Sequence, residues 1–99
     1  MKENSIENKM PTILIYLYRK IEEGNILVQK TINITKKNLY FIKFVLESEL
    51  IKIKNRIYIT ERRKSRNYRF KIKKMKYSKR SIIRALKIIH TQRFINKII

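Results

Sequence analysis

A change of apolar period at Leu50 constrains this chain more than any other feature of its sequence. Before it, Leu39, Ile42, Val45 and Leu46 fall at i, i+3, i+6 and i+7, one face of a helix of period 3.6. The opposite face of that helix carries Lys36, Lys37, Tyr40 and Lys43, a basic stripe with an aromatic ring inside it. Thr35 stands where its hydroxyl can accept an orphan N–H of the first turn. After Leu50, Ile51 and Ile53, then Ile57 and Ile59, keep a period of two, the pattern of an extended chain with one apolar side. Pairing Ile53 with Ile57 and Ile51 with Ile59 puts all four on one face. That register predicts a hairpin closed by Lys54-Asn55-Arg56, because a loop one residue shorter sets apolar against polar on every rung.

Upstream, Pro11 suits the first turn of a helix, having no N–H to leave unpaired. Leu14, Leu17 and Ile21, with Met10 and Ile13 beside them, form an inward helical stripe, and Gly24 stands where such a helix would stop. Asn25 can cap a second helix over residues 26–32, with Leu27, Val28 and Ile32 inward, leaving Asn33-Ile34 as a tight joint of helix-turn-helix type. Downstream, residues 61–80 hold eleven Lys/Arg against Glu61, and Tyr68, Phe70 and Ile72 alternate with cations as in a half-buried strand. Ser78 or Ser81 can cap a last helix reaching Asn96, apolar nearly all round. One side of it would lie on the core and the other would mark an interface. The alternative is that this helix simply completes the core of one chain.

The string over residues 39–60, LYFIKFVLESELIKIKNRIYIT, resembles the recognition helix and first wing of winged helix-turn-helix DNA-binding proteins, of the small archaeal or viral regulator type. The pieces that carry the resemblance are the helix ending in Leu50-Ile51 and a Lys-rich hairpin closing on Tyr58-Ile59-Thr60. The similarity covers residues 11–60. Glycines usual in that pattern are replaced here by Asn33, Glu49 and Asn55; asparagine tolerates positive φ, and Glu49 does not. The resemblance implies an α+β, mostly helical fold with a winged-helix domain over residues 11–77; the polar residues 1–10 read as a flexible N-terminus and residues 78–99, from their apolar pattern, as a C-terminal helix for dimerisation.

Charge sharpens the expectation. The formal net charge is +19, with eight Lys/Arg and six Glu in residues 1–49 (8 − 6 = +2) and eighteen Lys/Arg and one Glu in residues 50–99 (18 − 1 = +17). Such a field draws polyanions, nucleic acid first and anionic membrane second. Twenty isoleucines and seventeen lysines beside a single alanine point to an AT-rich genome. There is no cysteine, so neither a disulfide framework nor a thiolate metal site is available. One glycine rules out a Gly-rich phosphate loop. His90, Glu22-Glu23 and the pair Glu47 and Glu49 read as surface or packed residues rather than as catalytic groups, so no enzyme and no cofactor is expected. No apolar run approaches a bilayer span and no leader is evident, which predicts an intracellular location: nucleoid-associated, or the host cytoplasm for a viral protein.

The expected function is double-stranded DNA binding by a transcription regulator. Lys36, Lys37, Asn38, Tyr40 and Lys43 would meet base edges in the major groove, with Asn38 as the adenine reader. Phe41 and Phe44 flank them, suited either to thymine methyls or to partial burial against the wing or a partner. Thr35, Lys52, Lys54, Asn55, Arg56, Arg62, Arg63, Lys64 and Arg66 would contact the backbone. Ile82, Leu86, Ile89, Phe94 and Ile95 would form a homodimer seam. An architectural DNA-binding protein and an RNA-binding ribosomal protein are the alternatives.

Overall fold

A computed structural model describes residues 11–98; the expectations of a flexible N-terminus and of Met10 in an inward stripe lie outside them. The fold is α+β and mostly helical. An antiparallel hairpin, β1 (Thr12–Ile21) and β2 (Gly24–Asn33), is followed by a long helix α1 (Leu39–Arg63), a second long helix α2 (Tyr68–Ile89) and a short α3 (Gln92–Ile98).

The two helices expected over residues 11–32 are therefore the two strands. Leu14, Leu17 and Ile21 do match a helical stripe, but Ile13, Ile15 and Leu17 match a strand equally well, and it is these three that are buried. The choice falls to pairing. A strand needs a partner, and β2 supplies one in unbroken register from Thr12 opposite Asn33 to Ile21 opposite Gly24. Glu22 and Glu23 form the turn between them. Gly24 follows at φ +141°, a backbone conformation that side chains resist, while open space surrounds its absent Cβ, so only the backbone demands glycine here. Pro11 lies ahead of the ladder, its carbonyl accepting the Ile34 N–H at 2.9 Å. Asn33-Ile34 is the exit from the sheet rather than a helix–helix joint, and Ile34 is fully buried.

The hairpin expected over residues 51–59 is helical. Ile53 and Ile57, read as cross-strand partners, are four residues apart and extend the series Leu39, Ile42, Leu46, Leu50 down one face of α1. Ile51 and Ile59, which the strand reading put on the same side, point out to solvent. No glycine or proline interrupts residues 39–63, so nothing stops the helix once it has begun. The strand expected from Tyr68 to Lys73 is likewise the first part of α2. Its inward series is Ile72, Met75, Ser78, Ile82, Ala85 and Ile89, at helical spacing, and Phe70, expected to be half-buried, is 72% exposed. The boundary expected between residues 77 and 78 falls in the middle of this helix.

The core lies where β1, α1 and α2 meet, around Ile15, Leu46, Ile53, Met75 and Ile82. Ile82 and Ile89 are 1% exposed and Phe94 6%, while Leu86 packs half-buried against them. The surface expected to be a dimer seam is thus mostly the chain's own interior, because α3 folds back and closes it; Ile95 is half-buried.

Helix α2 also closes one side of the sheet. The Tyr16 N–H, which points away from β2, donates to Ser81 Oγ at 2.9 Å, and the Tyr16 ring meets Tyr77 edge-on at 5.1 Å. An edge strand is thereby capped by a helix side chain.

Candidate nucleic-acid interface

The α1–α2 pair forms a helical hairpin whose tip is the loop from Lys64 to Asn67. Lys64 (φ 48°) and Asn67 (φ 61°) both take the left-handed conformation that reverses the chain between two helices. Asparagine tolerates this; for lysine it costs about 1 kcal/mol or more. Around the tip the side chains of residues 61–67 are all exposed. Over residues 52–80 fourteen Lys/Arg stand against Glu61 alone, and Glu61 already faces Lys76 at 3.8 Å.

These cations fall into two hollows. One, of about 570 Å³, opens between α1, the start of α2 and the turn end of the sheet. Lys52, Arg56 and Arg63 reach it from α1, at a spacing that keeps them on one flank, Lys71 from α2 and Lys20 from β1; no carboxylate lines it. Tyr18 forms part of the wall. Its hydroxyl donates to Asn25 Oδ1, and the Arg56 guanidinium lies 5.6 Å from its ring centre. Burial pushes the Tyr18 phenol above its ordinary value, and the charge of Arg56 partly opposes that. The other hollow, of about 530 Å³, gathers Lys64, Arg69, Lys73, Lys76 and Arg80 with Glu61 on a different flank of α2.

The structure therefore divides the residues expected on the DNA backbone. Lys52, Asn55, Arg56 and Arg63 line the first hollow and Lys64 the second. Arg66 is exposed in the tip loop and Lys54 on the outer face of α1. Arg62 lies on Tyr58, 5.3 Å from the ring centre, and donates to its hydroxyl at 2.9 Å. Lys54, Asn55 and Arg56 are not a wing tip, since all three are helical.

The expected base readers sit at the other end of α1. From Lys43 to Arg63 the helix climbs roughly 30 Å at 1.5 Å per residue. Lys36 and Lys37 are exposed in the turn before α1, and Lys43 lies over the Tyr40 ring at 5.6 Å. Asn38 is engaged on every polar atom of its side chain. Its Oδ1 accepts the Thr35 N–H at 2.7 Å and its Nδ2 donates to the Asn33 carbonyl at 3.0 Å. Its own N–H donates to Thr35 Oγ1 at 3.1 Å, so Thr35 and Asn38 brace each other across the turn into the helix. These bonds fix where the amide sits, and each of the two atoms keeps one further hydrogen-bonding position. Tyr40, Phe41, Phe44, Ile51 and Tyr58 form an exposed stripe along the outer face of α1.

Lys20 and Lys71 are the cations of the first hollow that sequence reasoning missed. Lys71 would have followed from helical spacing had residues 68–80 been read as a helix. Lys20 carries no local signal, because only the packing of the sheet and the two long helices on one another brings it to the same hollow as Lys52. The expected carboxylate pairs resolve as well: Glu22 and Glu23 form the β-turn, and Glu49 faces Arg19 at 4.0 Å and Lys52 at 3.9 Å. The His90 ring lies at the end of α2, with Nδ1 2.6 Å from the Leu86 carbonyl. Among the described residues no group of three or more His, Cys, Asp or Glu could hold a metal ion, and no helix is long and apolar enough to cross a membrane. Comparison with protein-family models, with curated proteins and with solved structures finds no match for this chain.

Proposed function

We propose that this protein binds double-stranded DNA chiefly through its phosphates, with the α1–α2 hairpin laid along the duplex and the carboxylate-free hollow between its helices and the turn end of the sheet as the main anchor. The observation that carries the reading is the gathering of Lys20, Lys52, Arg56, Arg63 and Lys71 around one hollow lined by no carboxylate, where among the described residues Lys52 alone of the five faces an acid, Glu49 at 3.9 Å. Five cations with a single acid beside them repel one another and destabilise the compact state, and a polyanion removes that repulsion by releasing its own counterions. The described residues extend 53 Å in their longest direction, the length of roughly sixteen base pairs at 3.4 Å each.

A winged-helix mode, in which a β-hairpin tip rests on the backbone, would fall here to β1–β2. Its turn presents Glu22-Glu23, the wrong sign for phosphate, so the contact is assigned to the helical hairpin instead. With Asn38 held in its turn, the residue expected to read adenine already serves the fold. That favours an architectural DNA-binding role over that of a site-specific transcription regulator. The exposed aromatics Tyr40, Phe44 and Tyr58 support RNA as a second reading, since unpaired bases stack on such rings.

Salt-dependent binding to random duplex DNA tests the proposal. Replacing Lys52, Arg56, Arg63 and Lys71 by Ala should flatten the logarithmic salt dependence by about four units, one per phosphate contact. An unchanged slope would remove the hollow from the interface. A sharp footprint on one sequence would restore the regulator. Preference for single-stranded RNA over duplex DNA at equal salt would select the second reading.

A further inference from the structure

The two long edges of the sheet are treated differently, and the difference points to a partner. In β1 and β2 the residues that bond each other are the odd positions of β1 and the even positions of β2. The Pro11–Ile34 bond continues that series, and the Tyr16–Ser81 bond shows an even residue of β1 pointing outward. On β2 the odd residues therefore point their N–H and C=O groups away from β1. The two ends of that row are occupied: Lys74 Nζ donates to the Asn25 carbonyl, and Asn38 Nδ2 to the Asn33 carbonyl. Between them Leu27, Gln29 and Thr31 present a donor and an acceptor each, with no partner among the described residues. Natural edges are usually blunted by charge, proline or a bulge. This one has Lys30 as its sole charge, in a chain of net charge +19.

We infer that β2 pairs antiparallel with β2 of a second copy, about a two-fold axis through Gln29. The open window, residues 27–31, is symmetric about Gln29, which is in the outward phase, so every free group of one copy meets one of the other. Leu27 faces the second copy's Thr31, Gln29 faces Gln29, and the sheet becomes four-stranded. In the same register Ile26, 40% exposed in the single chain, lies opposite Ile32 of the second copy.

Charge favours the same occupant. Each β2 is preceded by the exposed turn Glu22-Glu23 and followed by the exposed turn Lys36-Lys37. Positions that sum to 58 face each other about Gln29, so the acidic turn of one copy comes to the lysine turn of the other at both ends. A parallel pairing would bring acid to acid and lysine to lysine. An isologous, self-complementary contact of this kind closes as a dimer. It sets two basic helical hairpins on one particle, although the inference stands independently of what those hairpins bind.

Sedimentation velocity on the full chain, without nucleic acid, tests this. The wild type should sediment as a dimer. Gln29→Pro removes an N–H that the β1–β2 ladder does not use, and so should weaken self-association about thirtyfold, two central hydrogen bonds being lost, while far-UV circular dichroism is retained. Reversing the acidic turn (Glu22→Lys with Glu23→Lys) should weaken it about tenfold, and adding Lys36→Glu with Lys37→Glu should restore it. A wild type that stays monomeric overturns the inference, even if it captures a foreign strand. So does a dimer indifferent to both the proline and the charge reversal, which would place the contact on the aromatic stripe of α1.

Discussion

The base and the tip of the α1–α2 hairpin are built from the same two helices under opposite rules. At the base, Leu46, Ile53, Met75 and Ile82 interlock with β1, and nearly every inward position is apolar. At the tip, α1 and α2 leave the sheet behind, and the surface is a crowd of cations around a lysine in a left-handed turn. The base carries the stability of the fold. The tip subtracts from it, through repulsion among its cations and the strain of Lys64 at positive φ.

Substitutions can break that contrast or sharpen it. The largest effect belongs to the base: Leu46→Ala, at a fully buried position, should lower unfolding free energy by about 2–5 kcal/mol in urea titration. Ile51→Ala, on the same helix but facing out, should stay within about 0.5 kcal/mol. Next comes the brace at the start of α1. Asn38→Ala should cost about 1–2 kcal/mol through the lost turn bonds, and should weaken binding to all DNA sequences alike; loss of discrimination alone would return Asn38 to base reading. At the tip the sign reverses. Lys64→Gly removes the left-handed strain and one cation, and should raise stability by up to about 1 kcal/mol while lowering the salt slope of binding by about one unit.

The smallest effect lies at the junction. Burial raises the folded Tyr18 phenol, so its contribution to stability is intact below its ordinary value near 10 and is lost as pH climbs through the raised one. Thermal melting should therefore fall more steeply with alkaline pH in the wild type than in Tyr18→Phe. Parallel curves would mean that Tyr18 ionises as freely in the fold as in the unfolded chain.

Much of this was legible one residue at a time. The inward face of α1 at Leu39, Ile42 and Leu46 and the concentration of charge in the second half stand as read, whereas Thr35, expected to cap the helix, braces the turn before it, and Lys36 and Lys37 are exposed in that turn rather than on the helix. The four isoleucines from Ile51 to Ile59 show where reading fails. They are β-branched and alternate, so local preference says strand, yet Ile53 and Ile57 also fit the next turns of a helix already under way. With no breaker between them and Leu46, continuing that helix buries the same two side chains without a new nucleus. The mirror error occurred at Ile13 to Ile21, where a helical stripe and a strand face share Leu17.

The sequence by itself determined the inventory of apolar and basic side chains, the inward face at the start of α1, and the exclusion of thiol and glycine-loop chemistry, because these follow from composition and from one short stretch of helical period. Only the tertiary structure decided which ambiguous segments became strands, that Lys20 shares a hollow with Lys52, that Ile82 and Phe94 face inward, and that one sheet edge is capped by Ser81 while the other lies open. Those outcomes depend on contacts between residues far apart in the chain. Hydrogen-bond pairing and burial are satisfied across such contacts, and no local window of sequence contains both partners.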